Sequence, residues 1–313
     1  MRLTILTAIA ASAGLLAATS SARAAAYTFT QIDVPGGAST QGQAINNAGQ
    51  IVGTFSNSTG DHGFLESGGS FAQIDVPGAL FTQANGINNA GQIVGTVNNT
   101  HGFLKNGGSF ITLDVPGSLD TAPNGINNAG QIVGSFLDGT GRHGFLDTGG
   151  SFTTIDVPGA NETQAFGIND AGQIVGFFFD NMGTHGFLDT GGVFTSIDVP
   201  GASSLCGGVP SCTLAFRIND TGQIVGRFGL IINGSAHGFL DTGGSFTTID
   251  VPGAIDTQAR GINDAGEIVG IFGMGPTHGF LATPSSAVPE PSSLALSVTA
   301  LLGFSIFRRR QRA

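Results

Sequence analysis

Six histidines could do chemistry in this chain, and each opens the same tetrapeptide. His-Gly-Phe-Leu stands at residues 62–65, 101–104, 143–146, 185–188, 237–240 and 278–281. Histidine is the usual general base and a common metal ligand, so six copies brought to one axis could form a ligand ring. Six aspartates recur as well, each opening Asp-Val-Pro-Gly: Asp33, Asp75, Asp114, Asp156, Asp198 and Asp250. Calcium needs six to eight converging oxygens. One carboxylate per copy, with no Asp-x-Asp-x-Asp run, supplies too few. These aspartates therefore read as acceptors for turn amides. No cofactor is expected; calcium is the one ion that the acidic balance leaves open. Cys206 and Cys212 lie in Cys-Gly-Gly-Val-Pro-Ser-Cys. Two thiols alone do not complete a zinc site, and in an oxidising compartment they are expected to form a disulfide across a tight loop. The chain has no Gly-x-Ser-x-Gly elbow, His-Glu-x-x-His pair or P-loop, and no Gly-x-Gly-x-x-Gly that opens a helix after a strand as a dinucleotide fingerprint must, so no catalytic residue is assigned.

The elements that must position these residues follow from an internal repeat. The histidines are 39, 42, 42, 52 and 41 residues apart, and the spacing of 52 marks an insertion that holds both cysteines. Residues 163–169, 173–179, 185–188 and 193–199 of one copy carry four strand signals, separated by Asn-Asp-Ala-Gly, a variable loop, and Asp-Thr-Gly-Gly. Pro-Gly stops the fourth, because proline cannot donate to a ladder. Four strands per unit of about 42 residues is the pattern of a propeller blade; a parallel β-helix coil is usually half as long. The expected fold is all-β: a six-bladed β-propeller of four-stranded antiparallel blades. The lone strand of residues 27–34 would complete the last blade, which otherwise ends at residues 278–281, and so close the ring.

In that arrangement Thr-Gln-Ala-x-Gly-Ile-Asn is the innermost strand and His-Gly-Phe-Leu the third outward. The histidines then stand apart around the ring, each expected to hydrogen-bond a neighbouring turn. Polar groups on the inner strands reduce to Arg260, Gln41, Gln83, Gln164 and Gln258. Twelve phenylalanines, six in His-Gly-Phe-Leu and six opening the fourth strand, are expected to fill the spaces between blades.

The two ends read as addresses. Residues 1–24 have a basic start, an apolar run and Ala22-Arg23-Ala24, the pattern of a secretory signal peptide. Residues 25–284 hold the repeats. Residues 285–313 contain Val288-Pro289-Glu290-Pro291-Ser-Ser, an apolar stretch and an arginine cluster. This segment resembles the PEP-CTERM sorting signal of Gram-negative bacteria that make exopolysaccharide. The resemblance implies an exosortase-type enzyme as processing partner, a short transmembrane helix as transient inner-membrane anchor, and release to the cell surface or extracellular matrix. Between the two addresses, five basic residues face twenty acidic ones, a balance of −15. Such a surface repels nucleic acid, which is bound through Lys and Arg.

The repeats resemble the HAF family of extracellular repeats, through the His-Gly-Phe-Leu copies, the Gly-Ile-Asn-Asp-Ala-Gly-Gln-Ile-Val-Gly segments and the Ile-Asp-Val-Pro-Gly turns. That resemblance implies export and repetition, and no reaction. Comparison of the copies adds a functional expectation. The connections after Gln-Ile-Val-Gly and after Val-Pro-Gly vary, and in a meander both emerge on one face. The uniform Asn-x-Ala-Gly and Gly-Gly turns emerge on the other. The variable face, with Asp61, Asp120, Asp138, Arg142, Glu162, Asp180 and Asp256, is the candidate binding surface. The expected function is a non-enzymatic binding or structural scaffold for an extracellular polysaccharide or surface protein. The alternative is a propeller lyase or hydrolase acting on polysaccharide.

Overall fold

A computed structural model describes residues 27–202, 211–229, 236–273 and 275–285. The signal peptide, Cys206, and the sorting motif Val288, Pro289, Glu290 and Pro291 lie outside these residues, as does the C-terminal apolar stretch. Among the described residues, no helix is long and apolar enough to cross a membrane.

The described chain is built from strands. β1 is Tyr27–Ile32. The first repeat forms β2 to β5 (Ser39–Ile45, Ile51–Asn57, Gly60–Ser67, Ser70–Ile74). The second forms β6 to β9 (Thr82–Ile87, Ile93–Val97, His101–Asn106, Ser109–Leu113) and the third β10 to β13 (Asp120–Ile126, Ile132–Leu137, Arg142–Thr148, Ser151–Ile155). The fourth supplies β14 to β17 (Glu162–Ile168, Ile174–Asp180, Gly183–Thr190, Val193–Ile197) and the fifth β18 to β21 (Ser211–Ile218, Gln223–Phe228, His237–Thr242, Ser245–Ile249). The sixth ends with β22 to β24 (Thr257–Ile262, Ile268–Phe272, His278–Pro284). The third strand is longer than its tetrapeptide because its ladder runs on past both ends, as from Asp180↔Gly183 to Ile174↔Asp189.

Four sheets stand alone as four-stranded antiparallel blades, and the remaining eight strands, β14 to β21, form one sheet. This corrects the expectation of six separate blades. At three other junctions the inner strand touches the preceding unit through one backbone bond, as from Thr121 N to Thr100 O at 3.1 Å. At the fourth-to-fifth junction, beside the insertion, that contact lengthens into a parallel bridge, Gly183↔Ser211 and Thr184↔Cys212, and two units merge. β1 pairs with β24 over six residues, so the N-terminal strand completes the last sheet.

The core lies between units. Phe103 packs with Val52 and Ile74 of the preceding repeat, and Val269 of the last repeat packs with Phe64 and Ile51 of the first. All six His-Gly-Phe-Leu phenylalanines are fully buried. Each meets the phenylalanine of a neighbouring outer strand at 5.6–5.8 Å between ring centroids. Such pairs add to the apolar area they bury.

Two closed rings of hydrogen bonds run round the axis on the uniform-turn face, with one member per repeat. Asn46 Nδ2 donates to the carbonyl of Asn88, and the chain continues through Asn127, Asn169, Asn219 and Asn263 back to Asn46, at 3.0–3.3 Å. Outside it, the amide of Asn47 donates to Asn89 Oδ1, then Asn128, Asp170, Asp220 and Asp264 follow in turn, at 2.7–3.0 Å. Last and first repeats are joined in both rings.

Half of the outer ring is carboxylate. Burial, with Asp170 and Asp264 on either side, pushes the Asp220 carboxyl up. A raised folded value means that stability is fully present below the unfolded pKa of about 3.9 and is lost as pH rises through the folded one. Asn keeps the Oδ1 acceptor, as three repeats show. Asp220→Asn is therefore expected to raise Tm by about 1 °C at neutral pH and to leave it unchanged below the unfolded pKa, by calorimetry at the two pH values.

Candidate functional site

The six histidines do not meet. Each Nδ1 sits 2.8–3.1 Å from an aspartate of Asp-Val-Pro-Gly: His62 with Asp75, His101 with Asp114, His143 with Asp156, His185 with Asp198, His237 with Asp250 and His278 with Asp33. Five of the rings also lie 5.2–5.4 Å from a phenylalanine on the neighbouring strand. The pairs brace the end of the fourth strand against the third, and the sixth spans the closure. The expectation that these aspartates serve turn amides is corrected. The Val amide after each one is instead taken by the Thr hydroxyl that opens the next inner strand, at 3.0–3.2 Å. Asp114 also accepts from the Gly102 amide at 3.1 Å. Among the described residues, no three His, Cys, Asp or Glu side chains cluster so as to hold a metal ion.

The inner strands bring polar side chains together on the axis. Every inner strand carries a register shift at the x of Thr-Gln-Ala-x-Gly-Ile-Asn, between Gly42 and Ala44, Ala84 and Gly86, Pro123 and Gly125, Ala165 and Gly167, Ala215 and Arg217, and Ala259 and Gly261. A bulge re-aims the extra side chain. The six bulge residues, Gln43, Asn85, Asn124, Phe166, Phe216 and Arg260, all line one cavity of about 360 Å³ on the axis. Ser56, Asp61 and Arg142, at the roots of variable loops, line it too, so it opens on the variable face. The next inner-strand position is glycine in four repeats because neighbouring inner strands nearly touch there. A Cβ on Gly125 would come within 2.6 Å of the Phe166 carbonyl oxygen.

Arg217 stands at that position in the fifth repeat. Its guanidinium crosses the axis and donates to the carbonyls of Phe166 (2.6 Å), Phe216 (2.9 Å), Asn124 (2.8 Å) and Asn85. It tethers four inner strands and also lines a small cavity of about 70 Å³ on the turn side, so it floors the larger one. Arg260 lies 5.4 Å above the Phe216 ring and donates to Gln43 (3.0 Å) and Gln258 (2.8 Å). Burial pulls both guanidinium groups down to about 10, with a further push on Arg217 from Arg260 and on Arg260 from Arg227. Of the polar groups expected on the inner strands, Arg260, Gln41, Gln83 and Gln164 line the cavity, whereas Gln258 is buried against Arg260 and does not; Arg217 was not among them.

The candidate surface residues divide. Asp61 accepts from Ser56 at 2.6 Å at the cavity wall, and Asp120 binds Arg142 through two bonds of 2.9 and 3.1 Å. Asp138 caps its loop through Thr140, which holds its carboxyl below the usual range, and lies 3.6 Å from His143. Asp180 accepts from the amides of Met182 and Gly183. Glu162 is exposed on the rim. Asp256 is corrected: at 3% exposure it faces inward, not to solvent. Burial raises its carboxyl, against the opposing pull of the Gln258 bond and of Arg227 and Arg260. The two variable loop sets meet on one face, as where Leu119 N donates to Leu137 O at 2.7 Å and Leu80 N to Asn98 Oδ1 at 2.8 Å.

Residues 287–311 match the PEP-CTERM protein-sorting motif. The chain carries the signal of an exported protein sorted by an exosortase. No curated protein matches the chain. A solved structure described as a candidate gluconolactonase is similar at 12% identity, covering 82% of this chain and 92% of that one with a TM-score of 0.52, which shows a shared propeller fold. Virginiamycin B lyase from Staphylococcus aureus is similar at 12% identity, 82% and 99% coverage and a TM-score of 0.48.

Proposed function

We propose that the chain is an exported binding scaffold: a ring of six repeats that docks an extracellular polysaccharide or surface protein on its variable face. The observation that carries this reading is the placement of exposed apolar side chains. Among the described residues, seven large hydrophobic side chains are exposed. Five of them, Leu80 (74%), Phe81, Leu119 (69%), Met182 and Ile255, stand in the variable loops. Isolated exposed apolar residues need no explanation, but a gathering on one face marks an interaction surface. The two closed hydrogen-bond rings hold the opposite face uniform, so loop sequence can diverge without loss of the ring. The resemblance of the repeats to HAF sequences, and the sorting motif, agree with work outside the cell.

A retention assay tests this. Polysaccharide and surface-protein fractions are passed over the immobilised exported chain, with and without calcium, beside an assay for depolymerisation. Saturable retention that falls at least about tenfold in a Leu80→Ser/Leu119→Ser/Ile255→Ser variant of unchanged Tm is expected. Turnover of polysaccharide without stable retention would establish the lyase or hydrolase reading instead.

A further inference from the structure

The region between the two sorting addresses has only five basic residues, Lys105 and four arginines, against twenty acidic ones. Three of the four arginines, Arg142, Arg217 and Arg260, line the axial cavity. Arg227, the fourth, lies near enough to Asp256 for each to shift the other's ionisation, and near enough to Arg260 to push its ionisation down. Arg142 is matched by Asp120, and Asp61 is the one carboxylate lining the cavity. Arg217 and Arg260 hydrogen-bond no carboxylate among the described residues, their bonds going to carbonyls and carboxamides, although Asp256 lies near enough to Arg260 to favour its charge. Positive charge in a negatively charged protein has been collected at one place, out of bulk water, where an unpaired charge is costly.

Two donors there have no partner. Arg260 Nε and Thr54 Oγ1 are buried without a hydrogen bond in the protein, and both residues line the cavity. Thr54 is 7% exposed. Buried polar groups are nearly always satisfied, so an orphaned N–H and an orphaned O–H on residues of one lining call for an acceptor. The rest of the lining sets its shape. Gln41, Gln83 and Gln164 offer carboxamides, which both donate and accept, while Phe166 and Phe216, 5.5 Å apart, offer apolar faces. A carboxylate answers the arginine, hydroxyls answer the amides, and the C–H face of a sugar ring answers the phenylalanines. About 360 Å³ is room for one or two sugar residues.

We propose that the axial cavity binds a sugar acid, with its carboxylate at Arg260 and Thr54 and its ring against Phe166 and Phe216. This deepens the binding-scaffold reading by giving the channel a ligand class of its own. The acidic exterior repels a polyanion as it approaches. A free hexuronate, or a single uronate at the end of a neutral glycan, is therefore favoured over the interior of a polyuronate.

Titration calorimetry on the exported chain tests this, with galacturonate, galactose, acetate, a neutral oligosaccharide ending in galacturonate, and polygalacturonate as probes. Galacturonate and the uronate-ended oligosaccharide are expected to bind. Galactose and acetate are expected to bind at least about tenfold more weakly, and polygalacturonate to gain affinity with added salt. Arg260→Met is expected to weaken galacturonate about tenfold or more. Thr54→Val guards against misfolding of that variant: removal of an orphaned hydroxyl is expected to raise Tm by about 2 °C while weakening galacturonate several-fold. The Leu80→Ser/Leu119→Ser/Ile255→Ser variant is expected to bind galacturonate unchanged, so the two readings fail separately. No binding of galacturonate, equal binding of galactose or acetate, or undiminished binding by both cavity variants would overturn the proposal.

Discussion

Phe187→Ala is expected to remove about 3–5 kcal/mol of stability, seen as a fall in Tm of about 10 °C. The Phe187 ring is wholly buried in a cluster that joins two repeats, with Val133 and Ile155 of the third and Ala165, Ile168 and Ile174 of the fourth. It also meets the Phe194 ring at 5.7 Å, edge to face. Truncation would lose transfer energy and leave a cavity between two sheets whose backbones are fixed by their ladders, so little collapse can offset it. His185→Ala, two residues earlier, removes one partly exposed pair with Asp198 and is expected to cost far less. Thermal unfolding of the two variants side by side checks the order. A milder loss for Phe187→Ala would mean that the inter-unit core is not the main support of the ring.

Gly176→Ala is expected to be as damaging, at about 3 kcal/mol or more, although it adds only a methyl group. Gly176 pairs with Ala165 on β14 and Phe187 on β16. A Cβ there would overlap the Gln164 carbonyl oxygen and stand 2.8 Å from the Phe187 ring. The oxygen belongs to backbone next to the bulge and cannot swing away. Glycine recurs at this position in all six repeats for the same reason, since Gly53, Gly95, Gly134, Gly226 and Gly270 face equivalent oxygens and rings. In the Phe187→Ala background half of the obstruction is gone, so the double variant is expected to be more stable than the sum of the two losses predicts.

These residues also show what the sequence displays and what it hides. The repeat register, the strand order and the closing role of Tyr27–Ile32 were legible, because alternation and turn chemistry recur six times. The His and Asp motifs were legible singly but not as a pair. Their offset of thirteen residues in five of the six pairs, as from His62 to Asp75, was the available signal. The bulges were hidden, since nothing in Thr-Gln-Ala-x-Gly-Ile-Asn announces an extra residue in a ladder. Variation at that one position, from Gln43 through Phe166 to Arg260, was the trace they left. Arg217 was detectable as a long cation in a column otherwise held by glycine or alanine. The fusion of β14 to β21 into one sheet was not legible, because it rests on a two-residue parallel bridge, Gly183↔Ser211 and Thr184↔Cys212, that no pattern in the repeats announces. Nor was the inward turn of Asp256, in a loop that by its position should face solvent.

Rebinding of the purified exported chain to cell surface and matrix stripped of it tests the central claim, that the variable face is the working face. Three proteins are compared: the unaltered chain, the Leu80→Ser/Leu119→Ser/Ile255→Ser variant, and Thr190→Lys on an exposed uniform turn. The account predicts saturable rebinding by the unaltered chain and by Thr190→Lys, with a loss of about tenfold or more in the loop variant. Equal rebinding by all three, or loss in Thr190→Lys alone, would contradict it.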